Sequence, residues 1–271
     1  MTIAMRFQVD GIGLWGRGLT SFATLEALVA GEAEALNGSY EQPKPQAVAP
    51  RERRRAGELI NLAVEVAHQA CEHAGADKRQ IPSVFASALS DTAVTDYMCR
   101  KLAAPERLLS PTKFHNSVHN AASGYWSISA ENRAPSTFIS GFRESFGAGL
   151  LEAVSLCLER EEPVLYVAYD MANAAPFNDF AAVDESLATA FVLSPAADRP
   201  RSFELELLPG GSATAATAPS TNALREIAAT NYCGAGLTLA EACATPAGAA
   251  ARALTLPFTP DRALKLTASA A

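Results

Sequence analysis

Residues 136–154, STFISGFRESFGAGLLEAV, read as a short apolar strand, a tight turn and an amphipathic helix. Several enzyme folds carry a nucleophile at such a corner, because the helix N-terminus behind it stabilises a thiolate or an oxyanion. Here the tip is Phe142, Arg143 and Glu144. A guanidinium keeps its proton at any physiological pH, so Arg143 is no nucleophile. The helix dipole repels it, and a carboxylate, a carbonyl or solvent is expected to hold it, Glu144 being the nearest candidate. Ser145 is the conventional nucleophile of the turn and forms half of a G-x-S-x-G elbow with Gly147, but Arg143 replaces the first glycine. A hydrolase of that class needs a later histidine, and all four histidines (His68, His73, His115, His119) come earlier in the chain.

His115 and His119 are four apart, which on one helix face suits a metal, but no third ligand is spaced with them. Histidines bonded to backbone are the simpler account, and no metal is expected. Gly11, Gly13 and Gly16 form a G-x-G-x-x-G after a strand. A dinucleotide site also needs an acidic strand end about 20 residues on. Glu32 and Glu34 stand at that distance inside a helical Leu/Ala/Glu run, so a plain glycine turn is expected and no cofactor. RERRR at 51–55 reads as a helix start where positive charge opposes the dipole. It is either a solvated end or a landing patch for an acidic partner. The five cysteines, Cys71, Cys99, Cys157, Cys233 and Cys243, never form a CxxC pair and read as reduced thiols of a cytoplasmic protein.

The elements that must position these residues alternate. Strands are expected at 6–10, within IPSVFASAL, at 136–142, and in PVLYVAYD and LATAFVLSP. Helices are expected over 19–36, 92–104 and beyond the Ser-Pro stop at 110–111. Another runs from Arg51 to about Ala74, with Ala56, Leu59, Ile60, Ala63, Val66, Ala70 and Cys71 on one buried stripe. Strands separated by helices across 5–195 indicate a layered α/β domain. After Pro195 a Gly/Ser/Thr/Ala-rich stretch marks a boundary near 195–200, followed by a helix, a short helix at 237–244 and strands near 252–257 and 263–267. The chain has 271 residues, 49% hydrophobic, enough for a substantial core. A net charge of −7 argues against nucleic acid as the main partner. No apolar run approaches the ~18 residues of a membrane span, and MTIAMRFQVD lacks the apolar stretch of a signal peptide.

The order of these motifs resembles the N-terminal half of a beta-ketoacyl synthase of the thiolase-like superfamily. VDGIGLWG resembles the first strand and glycine turn. SPTKFHNSVHNAASGYWSIS resembles the Ser-Pro stretch and Asn-x-x-x-Gly helix, with Asn120 and Gly124 matching. APSTFISGFRESFGAGLLEAV resembles the strand and helix that present the catalytic cysteine, whose place by gap-free count falls on Arg143. The resemblance covers about residues 5–195 and implies that 196–271 form a short α/β extension in place of the second thiolase half. The histidines that condensing enzymes draw from that half are absent. The chain then resembles the short chain-length-factor-like subunits of aryl polyene pathways: a non-catalytic partner that forms a heterodimer with a complete synthase and shapes its acyl tunnel. Strand 136–142 and the segment after Ser110-Pro111 are implied to lie at the dimer axis. A half without its twin is expected to leave one face of its sheet poorly covered. The implied tunnel positions are Lys113, Phe114, Ser117 and Val118, with Ala88 and Leu89 opposite. Arg51, Arg53, Arg54 and Arg55 are the implied patch for an acyl carrier protein. Two other readings stand beside this one: a stand-alone acyl- or carrier-protein-binding homodimer, and an acyltransferase using Ser145, Cys157 or the His115/His119 pair.

Overall fold

Eight strands join in a single sheet in the order β3-β2-β4-β5-β1-β6-β8-β7. In this computed structural model, which describes residues 4–32, 36, 38–196, 200–210, 215–245 and 253–268, the strands are β1 (Met5–Trp15), β2 (Ser83–Ala86), β3 (Ser136–Ile139), β4 (Val164–Asp170), β5 (Leu187–Pro195), β6 (Ser202–Leu207), β7 (Ala253–Thr259) and β8 (Arg262–Ala268). The helices are α1 (Phe22–Val29), α2 (Pro50–Ala56), α3 (Glu58–Ala74), α4 (Thr92–Ala103), α5 (Pro111–His115), α6 (Ala121–Ser129), α7 (Ser145–Arg160), α8 (Asn222–Ala229) and α9 (Ala235–Ala244). β2 runs parallel to β3 and β4, and the other pairs are antiparallel.

The pleat sends alternate side chains to two cores. Along β4, Val164, Tyr166 and Ala168 join α7 and α9 residues such as Phe146, Leu150 and Leu237, while Leu165, Val167 and Tyr169 join Val64 and Trp126 on α3 and α6. All of β4 is buried, as its unbroken apolar run demands. The central strands are therefore covered on both faces, contrary to the expectation of a poorly covered central layer, whereas β6, β7 and β8 send side chains to the first of these cores alone. The change of composition after Pro195 does not interrupt the sheet. β1 pairs with β5 on one side and β6 on the other, and Leu205, Leu224, Leu254 and Leu264 share a core with Phe7 and Phe146.

Two expected features take another form. VDGIGLW is not a strand ending in a glycine turn; Gly11 and Gly13 lie within β1. A Cβ on Gly11 would stand 2.2 Å from Ala70 O, and one on Gly13 2.1 Å from Val66 O. These glycines let α3 cross the strand at backbone distance. Glu34 lies outside the described residues. The helix expected over 51–74 breaks at Gly57, whose φ of 81° is open to glycine. α2 thus ends at Ala56 and carries Arg53, Arg54 and Arg55 in its last turn, where the dipole favours cations, the reverse of the expected opposition. Beyond the break α3 is buried nearly all round, with no single stripe, since the sheet packs on one side and α6 on another.

His68 sits in that packed layer. Its Nε2–H donates to Ser129 Oγ at 3.2 Å, because the serine's own proton goes to Trp126 O. Its Nδ1 meets no partner among the described residues. Burial holds its pKa down at about 4 against an ordinary 6.5. Below pH 6.5 the unfolded chain takes up a proton that the folded one refuses, so stability falls from there down to about 4. This shift corresponds to roughly 3 kcal/mol from His68. Chemical denaturation at pH 7 and pH 4.5 should show that loss, and His68→Leu should flatten it; an unchanged slope in the variant would contradict the assignment.

Candidate functional site

The corner keeps the shape read from its sequence. After β3 the chain passes through a 3₁₀ turn, Phe142–Glu144, directly into α7. Phe142 takes the left-handed conformation, φ 53°, which is strained for an aromatic residue. Ser145 closes the turn. Its hydroxyl donates to Phe142 O at 2.8 Å and accepts from Gly141 N at 3.0 Å, and the side chain is fully buried. That proton is committed to a carbonyl, and no histidine touches the hydroxyl. Arg143 is exposed, so of the expected carboxylate, carbonyl or solvent it meets solvent, and two rings stack on it. Its guanidinium carbon lies 5.2 Å from the Phe142 ring centroid and 4.8 Å from that of Tyr232. The face of the cation is stacked while its N–H groups meet no hydrogen-bond partner among the described residues. Tyr232, from the segment between α8 and α9, has no sequence cue linking it to this turn.

The thiol on α7 is no better placed for chemistry. Cys157 is buried against Leu193 O at 3.6 Å, and burial pushes its pKa up to about 12. His115 ends α5, whereas His119 lies in the turn before α6, so the two do not share a helix face. His115 Nδ1 bonds Asn116 Oδ1 at 3.1 Å, and the His119 ring packs 5.3 Å from Phe138. Among the described residues no three His, Cys, Asp or Glu side chains gather as a metal would need.

Sequence reasoning missed Asp170, at the end of β4 and 1% exposed. Ser87 Oγ donates to it at 2.7 Å, Ala88 N at 3.0 Å, Leu89 N at 3.3 Å and the Cys233 thiol at 3.1 Å. Burial raises its pKa, and these donors oppose the rise. The carboxylate thereby fixes the exit of β2, the segment that carries Ala88 and Leu89. An acid closing the buried run VLYVAYD was the available signal, because a buried charge must find donors.

The six implied tunnel residues separate into two groups. Ala88 is buried and Leu89 half-buried beside Asp170, whereas Lys113, Phe114, Ser117 and Val118 lie on the surface of α5 and the turn after it. Phe114 is 61% and Val118 50% exposed, so neither is core. Of the six, only Lys113 lines a cavity of about 530 Å³ between α2, α4 and α5. The arginine cluster also divides. Arg53 Nη1 donates to Lys44 O and Pro45 O at 3.3 and 3.0 Å, which makes it a loop anchor. Arg55 lies 3.5 Å from Glu52, and Arg51 and Arg54 stay exposed.

A layered α/β sheet with a strand-to-helix corner of this form is the architecture of the ketosynthase fold. Residues 29–247 match the family model for the beta-ketoacyl synthase N-terminal domain, and the chain belongs to that family. It superposes on a chain of the complex of the ketosynthase ApeO with its chain length factor ApeC from Xenorhabdus doucetiae, at 17% identity and TM-score 0.71, over 96% of this chain and 98% of that one. The ishigamide ketosynthase/chain length factor gives 15% identity and TM-score 0.70, over 97% and 98%. A beta-ketoacyl synthase from Burkholderia phymatum matches at 14% identity and TM-score 0.52, over 88% of this chain and 71% of its own. At these identities the likeness is one of fold. No protein of curated function matches the sequence. Among the described residues no helix is long and apolar enough to cross a membrane.

Proposed function

We propose that the chain is a non-catalytic, chain-length-factor-like subunit that pairs with a complete beta-ketoacyl synthase and shapes its acyl tunnel in aryl polyene or related fatty-acid-type biosynthesis. The observation that carries this reading is the corner itself. The turn and the helix behind it are kept, while the tip offers Arg143 and the neighbouring hydroxyl is locked into the turn. The fold's likeness to chains from ketosynthase/chain length factor complexes supports it.

The surface offers what a partner needs. Ser83 N donates to Pro135 O and Ser87 N to Ile139 O, so alternation turns the N–H and C=O groups of Ser136 and Phe138 away from β2. β3 ends the sheet, and that outer edge is unpaired among the described residues. Phe114 on α5 and Val118 on the turn that packs on Phe138 through His119 stand exposed. A partner strand laid along β3 would cover them, and Phe114 would then close the end of the partner's tunnel, with Lys113, Ser117 and the pinned Ala88 and Leu89 around it. Arg51, Arg54 and Arg55 are left to meet an acidic acyl carrier protein. The stand-alone homodimer would use the same edge, and sizing of the chain with and without a synthase separates the two.

The experiment is a pair of variants co-expressed with the synthase. Phe114→Ala should lengthen the products by several methylenes, since an aromatic stopper blocks a channel at little entropic cost. Leu89→Trp should shorten them. Normal assembly with unchanged product lengths in both would move the ruler elsewhere.

A further inference from the structure

We propose that the 530 Å³ cavity between the α2–α3 break and the starts of α4 and α5 binds a small anion-headed molecule, a phosphate or carboxylate on a short apolar chain. This site does not depend on the subunit reading. The cavity is of the size that small-molecule sites take. Three cations line it: Arg54 and Arg55 from the last turn of α2, and Lys113 from α5. All three side chains are exposed at its mouth, where an anionic head would meet them.

Their placement is built in. Asn116, 5% exposed, donates through Nδ2 to Arg55 O at 2.7 Å and Ala56 O at 3.2 Å, which ties the end of α2 to the residue that follows α5. Gly57 turns the chain beside the cavity and frees those carbonyls for Asn116. The carboxylates at the cavity equal the cations in number but form no ion pair with Arg54 or Lys113 among the described residues. Asp91 Oδ1 takes Val94 N–H at 2.8 Å as the cap of α4, and Glu52, 3.5 Å from Arg55, leaves Arg54 and Lys113 without a carboxylate partner among the described residues. Glu58 is the remaining acid in the lining, and it is exposed. Hydroxyls of Ser90, Thr92 and Thr112 supply further donors, and Leu59, Val94 and Met171 give an apolar wall for a tail. One wall carries charge and hydroxyls and another is apolar, which fits an anionic head on an aliphatic chain.

The full-length chain should be titrated calorimetrically with hexyl phosphate, hexanoate, hexanol and inorganic phosphate. Saturable binding of hexyl phosphate or hexanoate is expected, and the tighter of the two assigns the head. Hexanol and inorganic phosphate should each bind about tenfold more weakly or worse, lacking head or tail. Arg54→Ala and Lys113→Ala should each weaken binding about tenfold, and Met171→Trp should abolish it by filling the cavity while the chain still melts cooperatively. Arg160→Ala, on the far end of α7, should bind as the parent does. Absence of saturable binding by both hexyl ligands at millimolar concentration would overturn the proposal. So would binding that Lys113→Ala and Met171→Trp leave unchanged, or equal affinity for inorganic and hexyl phosphate.

Discussion

Asp170→Ala should cost about 3–5 kcal/mol, the scale for stripping a buried charged acceptor from its donors. That is a large fraction of the ~5–15 kcal/mol by which domains are stable. The alanine would leave the Ser87 hydroxyl, the Ala88 and Leu89 amides and the Cys233 thiol without an acceptor in a dry interior. Asp170→Asn should cost much less. Burial already favours the neutral form of this carboxyl, and an amide oxygen still accepts from the β2 exit. The raised pKa also fixes the sign of the pH effect: protonating Asp170 on acidification favours the folded state, opposite to His68. Urea denaturation of both variants checks this. An alanine variant within 1 kcal/mol of the parent would show that Asp170 does not hold the exit of β2.

Val118→Glu combined with Ser136→Pro should reduce capture of a complete synthase more than ~100-fold, the loss expected when a charge enters a desolvated interface centre and an edge N–H disappears. Both positions are exposed in the isolated chain, and the Ser136 N–H points away from β2, so the fold itself should tolerate the change. Ser136 also accepts a hydrogen bond from Ser83 Oγ at 3.0 Å, whose loss in the proline variant sets a small stability cost of about 1 kcal/mol. Pull-down from co-expression, with a melt of the variant alone, separates the two effects. Undiminished capture would place the interface away from β3.

What the chain made legible follows from the range over which each cue acts. β2, β3, β4 and β5 were readable because short β-branched and aromatic runs lie between prolines, glycines and polar turns. β6 was missed although its run SFELEL alternates as a half-buried strand does, because it directly adjoins the Gly/Ser/Thr/Ala-rich stretch, and with it went the continuity of the sheet across residue 195. The break at Gly57 was missed because glycine is tolerated inside helical patterns, and only its φ reveals the turn. The corner at 140–145 was legible because strand, turn and helix are contiguous. The ring pair that holds Arg143 was not, since Tyr232 arrives from the far side of β5 and β6. Asp170 failed to register for the same reason: its donors, Ser87 through Leu89, lie over eighty residues away along the chain. Phe114 and Val118 were singled out by resemblance, while their exposure is a property of the fold alone.

The central claim, that this chain pairs with a synthase and performs no acyl chemistry itself, is tested most directly by intact-mass analysis. The full-length chain, its Arg143→Cys variant and the co-expressed pair would each be incubated with acyl- and malonyl-carrier substrates. The account predicts condensation and an acyl adduct only in the pair, with the adduct on the synthase and none on either form of this chain, because among the described residues no histidine is hydrogen-bonded at the corner to serve as the base that a nucleophile needs. An acyl adduct on Ser145 or Cys157 of the chain alone, or condensation without a synthase, would contradict it.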